Sequence, residues 1–192
     1  WRSADTVRSG YMVRDGDGKY AEILDPQRKI RADHTIPPRS DLYSSLLARL
    51  RKRVFLSMRR YFQFEVRGVE RLLLARYAAE EAGHFAQHRD HMGDDYHREF
   101  GVTINLNGDF SGGELAFPEF DEGHKPAPGS AIVYSGALMH IVRPVTSGAR
   151  FCLLSFLMGE RGLAVLERYE TAHGREFERR TVTAADGDGA LG

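Results

Sequence analysis

His88 and Asp90 stand two positions apart, and His140 follows in a later apolar segment. In extended chain, side chains at i and i+2 leave the same face, roughly 7 Å apart along the strand. An ion about 2.0–2.2 Å from each ligand atom is within chelating reach of such a pair. Two imidazoles and one carboxylate on one side of an ion leave three neighbouring positions open. That set suits non-haem Fe(II), because the open positions take a chelating cosubstrate and oxygen together. H-x-D also arises by chance, and taken singly the pair reads first as a surface pair. Arg150 changes the weighing. It follows His140 across a short turn, and by period 2 it shares a face with Cys152, Leu154 and Phe156. An unpaired buried guanidinium is costly, so this face needs an anion. A metal-bound dicarboxylate gripped by the guanidinium fork meets that need.

Short strands have to position these residues. From Val69 onward the chain reads as β: Leu72–Tyr77, then 83–90, 102–107, Glu114–Phe117, 130–134, Leu138–Val145 and Ala149–Met158. Turn signals at regular spacing between them predict a sandwich or barrel. In 102–107, Val102, Ile104 and Leu106 share one face and Thr103, Asn105 and Asn107 the other. A polar inner face suits a pocket, though the same pattern also suits a strand face that meets water. Arg89 lies between two candidate ligands, so parity turns it away from the ion. Before the β region, Asp15-Gly16-Asp17-Gly18 predicts a hairpin turn. Ser40 then caps a helix whose stripe is Leu42, Leu46, Leu47, Leu50, Val54, Met58 and Tyr61. Residues 162–173 read as a closing helix.

In order along the chain come His88-Arg89-Asp90, Ser111-Gly112-Gly113-Glu114-Leu115, Pro128-Gly129-Ser130-Ala131, His140 with Pro144-Val145, and Gly148-Ala149-Arg150. Together they resemble the iron(II)- and 2-oxoglutarate-dependent dioxygenases of the prolyl-4-hydroxylase-like group, over roughly residues 69–158. The resemblance implies a mainly β fold, a double-stranded β-helix (jelly roll) with helices packed on one outer face. It implies His88, Asp90 and His140 as iron ligands and Arg150 as the cation for the distal carboxylate of 2-oxoglutarate. Tyr77 matches a tyrosine that reaches the cosubstrate, and Asn105 a polar strand residue near the same carboxylate. The implied reaction hydroxylates an unactivated C–H bond with Fe(II), 2-oxoglutarate and O2, releasing succinate and CO2, with ascorbate as an optional reductant. A prolyl residue or free amino acid is the implied substrate, with small metabolites and natural-product intermediates as the alternative. One departure bears on substrate: the stretch Tyr77-Ala78-Ala79-Glu80-Glu81-Ala82-Gly83 carries an acidic pair where many members have a short glycine-rich turn.

Composition bounds the rest. At roughly 150 residues per domain, 192 residues predict one domain, 1–182, with a frayed tail over 183–192. Lys+Arg and Asp+Glu both number 27, which argues against a nucleic-acid partner held by bulk charge. No apolar run approaches the roughly 20 residues of a membrane span. Cys152 is the one cysteine, so no disulfide forms within the chain. With no export signal visible, the expected compartment is the cytoplasm. The expected partners are a peptide or small-molecule substrate and, for an amphipathic chain with a β edge, itself as monomer or homodimer. Three competing readings remain. His84, His88 and His91 have the spacing of a helical zinc site. A cupin-like binder shares the architecture. A non-catalytic module could dock through the basic helix Ser40–Phe62.

Overall fold

The protein is described by a computed structural model over residues 6–14, 16–17, 20–91, 97–174 and 179–182. The expected tail lies outside these residues, as do Asp15 and Gly18 of the expected turn. In chain order the first strands are β1 (Val7–Arg8), β2 (Tyr11–Arg14), β3 (Tyr20–Ile23), β4 (Lys29–Ile30), β5 (Ala32–Thr35) and β6 (Gly68–Ala78). β7 (His84–His88), β8 (Phe100–Asn105), β9 (Ser111–Gly112), β10 (Leu115–Phe117) and β11 (Glu122–His124) follow. β12 (Ala131–Ser135), β13 (His140–Val142), β14 (Val145–Ser147), β15 (Ala149–Met158) and β16 (Arg179–Thr181) complete the set. The helices are α1 (Asp41–Leu50), α2 (Leu56–Phe62) and α3 (Glu160–His173), with a π-helical segment, Arg51–Phe55, joining the first two.

Among the described residues, the larger sheet runs β1-β5-β6-β15-β8-β12, with β16 also on β6. The smaller runs β11-β10-β13-β7-β4. One core cluster takes Ala75, Tyr77 and Cys152 from the larger sheet and Leu115, Phe117 and Val142 from the smaller. The two sheets therefore close over a shared interior, as in a double-stranded β-helix.

The helices cover the outer face of the larger sheet. Tyr43, Leu47, Leu50, Val54 and Met58 pack with Val69, Leu72, Val102, Leu153 and Leu157. Fully burying such a side chain contributes about 1.5–3 kcal/mol. Ser40 caps α1, its Oγ accepting from Tyr43 N at 3.1 Å. The predicted stripe is corrected at both ends. Leu42 and Tyr61 are exposed, and Tyr43 is buried in their place. The wider π turn rotates the second half of the helix, so a stripe counted at 3.6 residues per turn drifts off the contact.

The strand expected over Leu138–Val145 is two strands. Pro144 lacks an N–H and breaks the ladder between β13 and β14. Its carbonyl lies where a Cβ on Gly112 would stand, 2.3 Å away, and Gly112 has φ +69. Only glycine permits that approach.

β6 and β15 pair along nearly their whole length, with one slip. Leu154 opposes Leu73, but Phe156 opposes Glu70, so Arg71 and Leu72 of β6 face Ser155 alone. Arg71 takes φ +28 at this bulge. Ser155 Oγ lies 3.0 Å from Arg71 O and 3.2 Å from Glu70 O, and donates into the gap the bulge opens.

Candidate active site

His140 of β13 stands directly opposite His88 of β7 in the antiparallel ladder. A carbonyl can only accept, so His88 Nδ1 donates to Ala86 O at 2.7 Å and His140 Nδ1 to Leu138 O at 3.0 Å. Both rings are thereby fixed in one tautomer, with the Nε2 lone pair free. His88 Nε2 is 3.8 Å from Asp90 Oδ1, and His140 Nε2 is 3.6 Å from Asp90 Oδ2. The three donors lie within 4.8 Å of one another. Burial, reinforced by the neighbouring His140, lowers the His88 pKa to about 3, so its imidazole is neutral at ordinary pH. Two ring nitrogens and one carboxylate oxygen gathered at a common point fit an iron(II) ion.

Packing holds the ligands from behind. The Phe85 ring stacks on His88 with centroids 3.5 Å apart. Tyr134 of β12 donates from Oη to Asp90 Oδ2 at 3.0 Å. Burial and the Asp90 carboxylate raise the Tyr134 pKa well above its ordinary value, so the phenol stays a donor. Opposite it on β8 is Gly101, where a Cβ would lie 2.4 Å from the Tyr134 ring. Tyr134 has no signal in the sequence beyond its place on a strand, and it was missed there. Tyr134→Phe should lower metal affinity by roughly ten- to a hundredfold with the fold intact. Isothermal titration with Mn(II) checks this, and unchanged affinity would rule out a role for the hydroxyl in aiming Asp90.

Arg150 projects from β15 into the space between the sheets and is 2% exposed. Its Nε donates to Asn105 Oδ1 at 3.0 Å and its Nη2 to Thr103 Oγ1 at 3.1 Å. Asn105 is itself held, its Nδ2 donating to Pro126 O at 2.8 Å. Nη1 is buried with no hydrogen-bond partner. Among the described residues every group that Arg150 bonds to is neutral. The Tyr77 ring lies beside it, 5.5 Å from Cζ, and the Tyr77 hydroxyl accepts from Arg31 Nη1 at 3.3 Å. Arg31 is buried too, and pairs with Asp33 at 2.6 Å. Lys29, beneath the Phe85 ring, is buried beside Arg31; burial lowers its pKa to about 6.

The structure thus gathers His88, Asp90 and His140 at one point and sets Arg150, Asn105 and Tyr77 together across the same cavity. Thr103, on the polar face already recognised, joins them. Arg89 points away, bonded to Ala137 O and to Glu119. The histidine triple 84, 88 and 91 has no helix to sit on, since His84–His88 is a strand. His97 and Arg98 bond to the buried carboxylate of Glu70.

The fold is shared with the 2-oxoglutarate/Fe(II) oxygenases. A Burkholderia pseudomallei oxidoreductase of that family superposes with a TM-score of 0.59 at 19% identity, over 82% of this chain and 74% of that one. A Pseudomonas putida prolyl-4-hydroxylase gives 0.58 at 19% identity, over 70% and 75%. A Trichoplax adhaerens prolyl hydroxylase, solved with a peptide fragment of the hypoxia-inducible factor oxygen degradation domain, gives 0.63 at 15%, over 83% and 74%. In sequence the chain is similar to a PKHD-type hydroxylase of Acaryochloris marina, 32% identical over 117 residues. That match covers 56% of this chain, and the chain spans about half, 52%, of that relative's length. No family model matches the chain. Among the described residues no helix is long and apolar enough to cross a membrane.

Proposed function

We propose that this chain is an Fe(II)- and 2-oxoglutarate-dependent dioxygenase that hydroxylates an unactivated C–H bond, with residues 1–182 as one catalytic unit. One observation carries the reading: a two-imidazole, one-carboxylate donor set on the smaller sheet faces a buried arginine with an unused N–H on the larger. A metal ion answers the first and a carboxylate the second. 2-Oxoglutarate is both chelator and dicarboxylate, so one small molecule spans them. The similarity to a hydroxylase supports the same reading.

Iron(II), when bound, supplies oxygen activation: one O2 and one 2-oxoglutarate are consumed per C–H bond hydroxylated, leaving succinate and CO2. The protein's own task is placement. His88, Asp90 and His140 hold the ion from one side and leave the opposite side open. Arg150, braced by Asn105 and Thr103, fixes the distal carboxylate and so the direction from which the cosubstrate approaches. Tyr77 walls the slot. Phe85, Leu115 and Val142 line the cavity and keep bulk water off the reacting end. The substrate we assign is a prolyl residue or an amino acid, with a small metabolite as the alternative.

Anaerobic addition of Fe(II) and then 2-oxoglutarate, followed by visible absorbance, tests this. A charge-transfer band requiring both additions and absent in His140→Ala is the expected result. A folded protein with no band would overturn the assignment and favour a cupin-like binder.

A further inference from the structure

The bulge in β6 has placed two consecutive side chains on one face. Val69 and Leu72 pack toward the helices, while Leu73 and Tyr77 line the cavity. Between them both Glu70 and Arg71 turn inward: Glu70 takes Arg98, a cavity residue, and Arg71 lines the cavity itself. Unbroken alternation would have sent one of them to the helices.

This is the metal end of the cavity. Glu70 pairs with Phe156, Phe156 with Gly101, and Gly101 with Tyr134, a single row across the sheet. Tyr134 ends the row by bonding to Asp90. Arg150 lies at the other end of β15, opposite Tyr77, and its side chain runs back only to Thr103, level with Leu154. The two guanidiniums therefore stem from different levels of the one cavity that both line.

Arg71 has no carboxylate of its own. Both oxygens of Glu70 are taken by Arg98, at 2.7 and 2.6 Å, leaving Arg71 Nε at 3.7 Å from the nearer one. Asp33 is within electrostatic reach of Arg71, but it pairs with Arg31 through Oδ2 and makes no hydrogen bond to Arg71. Among the described residues Arg71 donates no side-chain hydrogen bond, and its Nε is buried without a partner. The Arg71 side chain is 36% exposed, but its Nε is buried without a hydrogen-bond acceptor and its backbone is held at φ +28, a strained arrangement at the cavity surface. One unmatched cation calls for one negative charge, which is a carboxylate rather than a phosphate dianion.

We propose that Arg71 is a specificity-determining residue that binds a free carboxylate of the substrate at the metal end of the cavity. The preferred substrate is then a small carboxylic acid, such as a free or N-acylated amino acid, rather than a residue inside a peptide. This deepens the oxygenase reading and rests on it.

The test uses the full chain loaded with Mn(II) and 2-oxoglutarate, titrated calorimetrically with a set of N-acetyl amino acids and their primary amides. Acids of the preferred type should bind roughly ten- to a hundredfold tighter than their amides, the range for a charge-assisted hydrogen bond. Arg71→Gln should bring these acids to the level of the amides and leave 2-oxoglutarate binding as it was. Arg71→Gly removes the same guanidinium while relieving the positive φ, so a folding defect cannot account for its loss. Arg71→Lys should restore part of the preference. Wild-type protein that takes up metal and 2-oxoglutarate yet binds no acid better than its amide overturns this inference alone. So does an Arg71→Gln variant that loses 2-oxoglutarate as well. Failure of the wild type to bind metal and 2-oxoglutarate together removes the oxygenase reading and this inference with it.

Discussion

Arg150→Met should leave metal binding intact and raise the 2-oxoglutarate concentration for half-saturation by roughly two to three orders of magnitude. Truncating one partner of a buried hydrogen-bonded charge pair has an effect of that size, about 2–5 kcal/mol. The distinctive readout is thermal. A ligand at a hundredfold excess over its dissociation constant adds about 2.7 kcal/mol to the folded state, or roughly 5–10 °C for a domain of this size. Wild-type protein with Mn(II) should show that rise on adding 2-oxoglutarate, and Arg150→Met should show none. A variant that keeps the shift would mean that the distal carboxylate lies elsewhere, with Arg31 the next cation to test.

Glu70→Gln should be the most destabilising of the single changes considered. Glu70 is 1% exposed, and Arg98, itself stacked 4.1 Å over the Phe156 ring, bonds to both of its oxygens. Removing one partner of a buried ion pair costs about 3–5 kcal/mol, since the other charge is left uncompensated. At roughly 2–4 °C per kcal/mol, the melting midpoint should fall by about 6–20 °C. The pH dependence gives the sign independently. Burial alone would raise the Glu70 carboxyl, but Arg98 and His97 outweigh it and hold the group well below the usual carboxylate range. A depressed folded pKa means that the unfolded chain takes up the proton first. The Glu70 contribution is therefore complete above about pH 4.3, the unfolded value, and is lost as pH falls below it. Urea unfolding of wild type should weaken steeply below that point, and Glu70→Gln should follow a flatter course. Equal acid slopes in the two proteins would show that Glu70 is not the group responsible.

The parts of the site that alternate or repeat could be read from the chain. Period 2 placed Thr103 with Asn105, and Arg150 with Cys152 and Leu154, because each set lies on a stretch of strand without a slip, whereas Asp90 joins His88 from just beyond the end of β7. Residue type then supplied the chemistry, since few side chains bind iron and an inward arginine demands an anion. Slips were invisible. Leu72-Leu73-Leu74 is apolar on every position, so nothing in it marks the bulge that turns Arg71 inward or the hydroxyl of Ser155 that fills it. The extra residue of the π turn is hidden in the same way, because Leu47, Leu50, Val54 and Met58 suit either helix. Nothing in the polar stretch before His97 and Arg98 marks them as buried, because their partner Glu70 lies many residues earlier. A lone carboxylate inside the apolar run from Val69 was the available clue: such a group needs a cation.

The order in which this chain can become active follows from the partnership of β6 and β15. Ser155 and the Glu70 carbonyl that it serves are 85 positions apart. Contacts of that separation form late and slowly, since a long loop must close before any of them is rewarded. Tyr77 and Arg71 emerge from the ribosome well before Arg150 exists. β6 can pair with β5, but its other edge must wait until β15 arrives. The candidate metal ligands share that delay, because His140 lies in a later strand than His88. Assembly of the candidate site thus requires the chain at least through Arg150, and no fragment ending before it holds the full set.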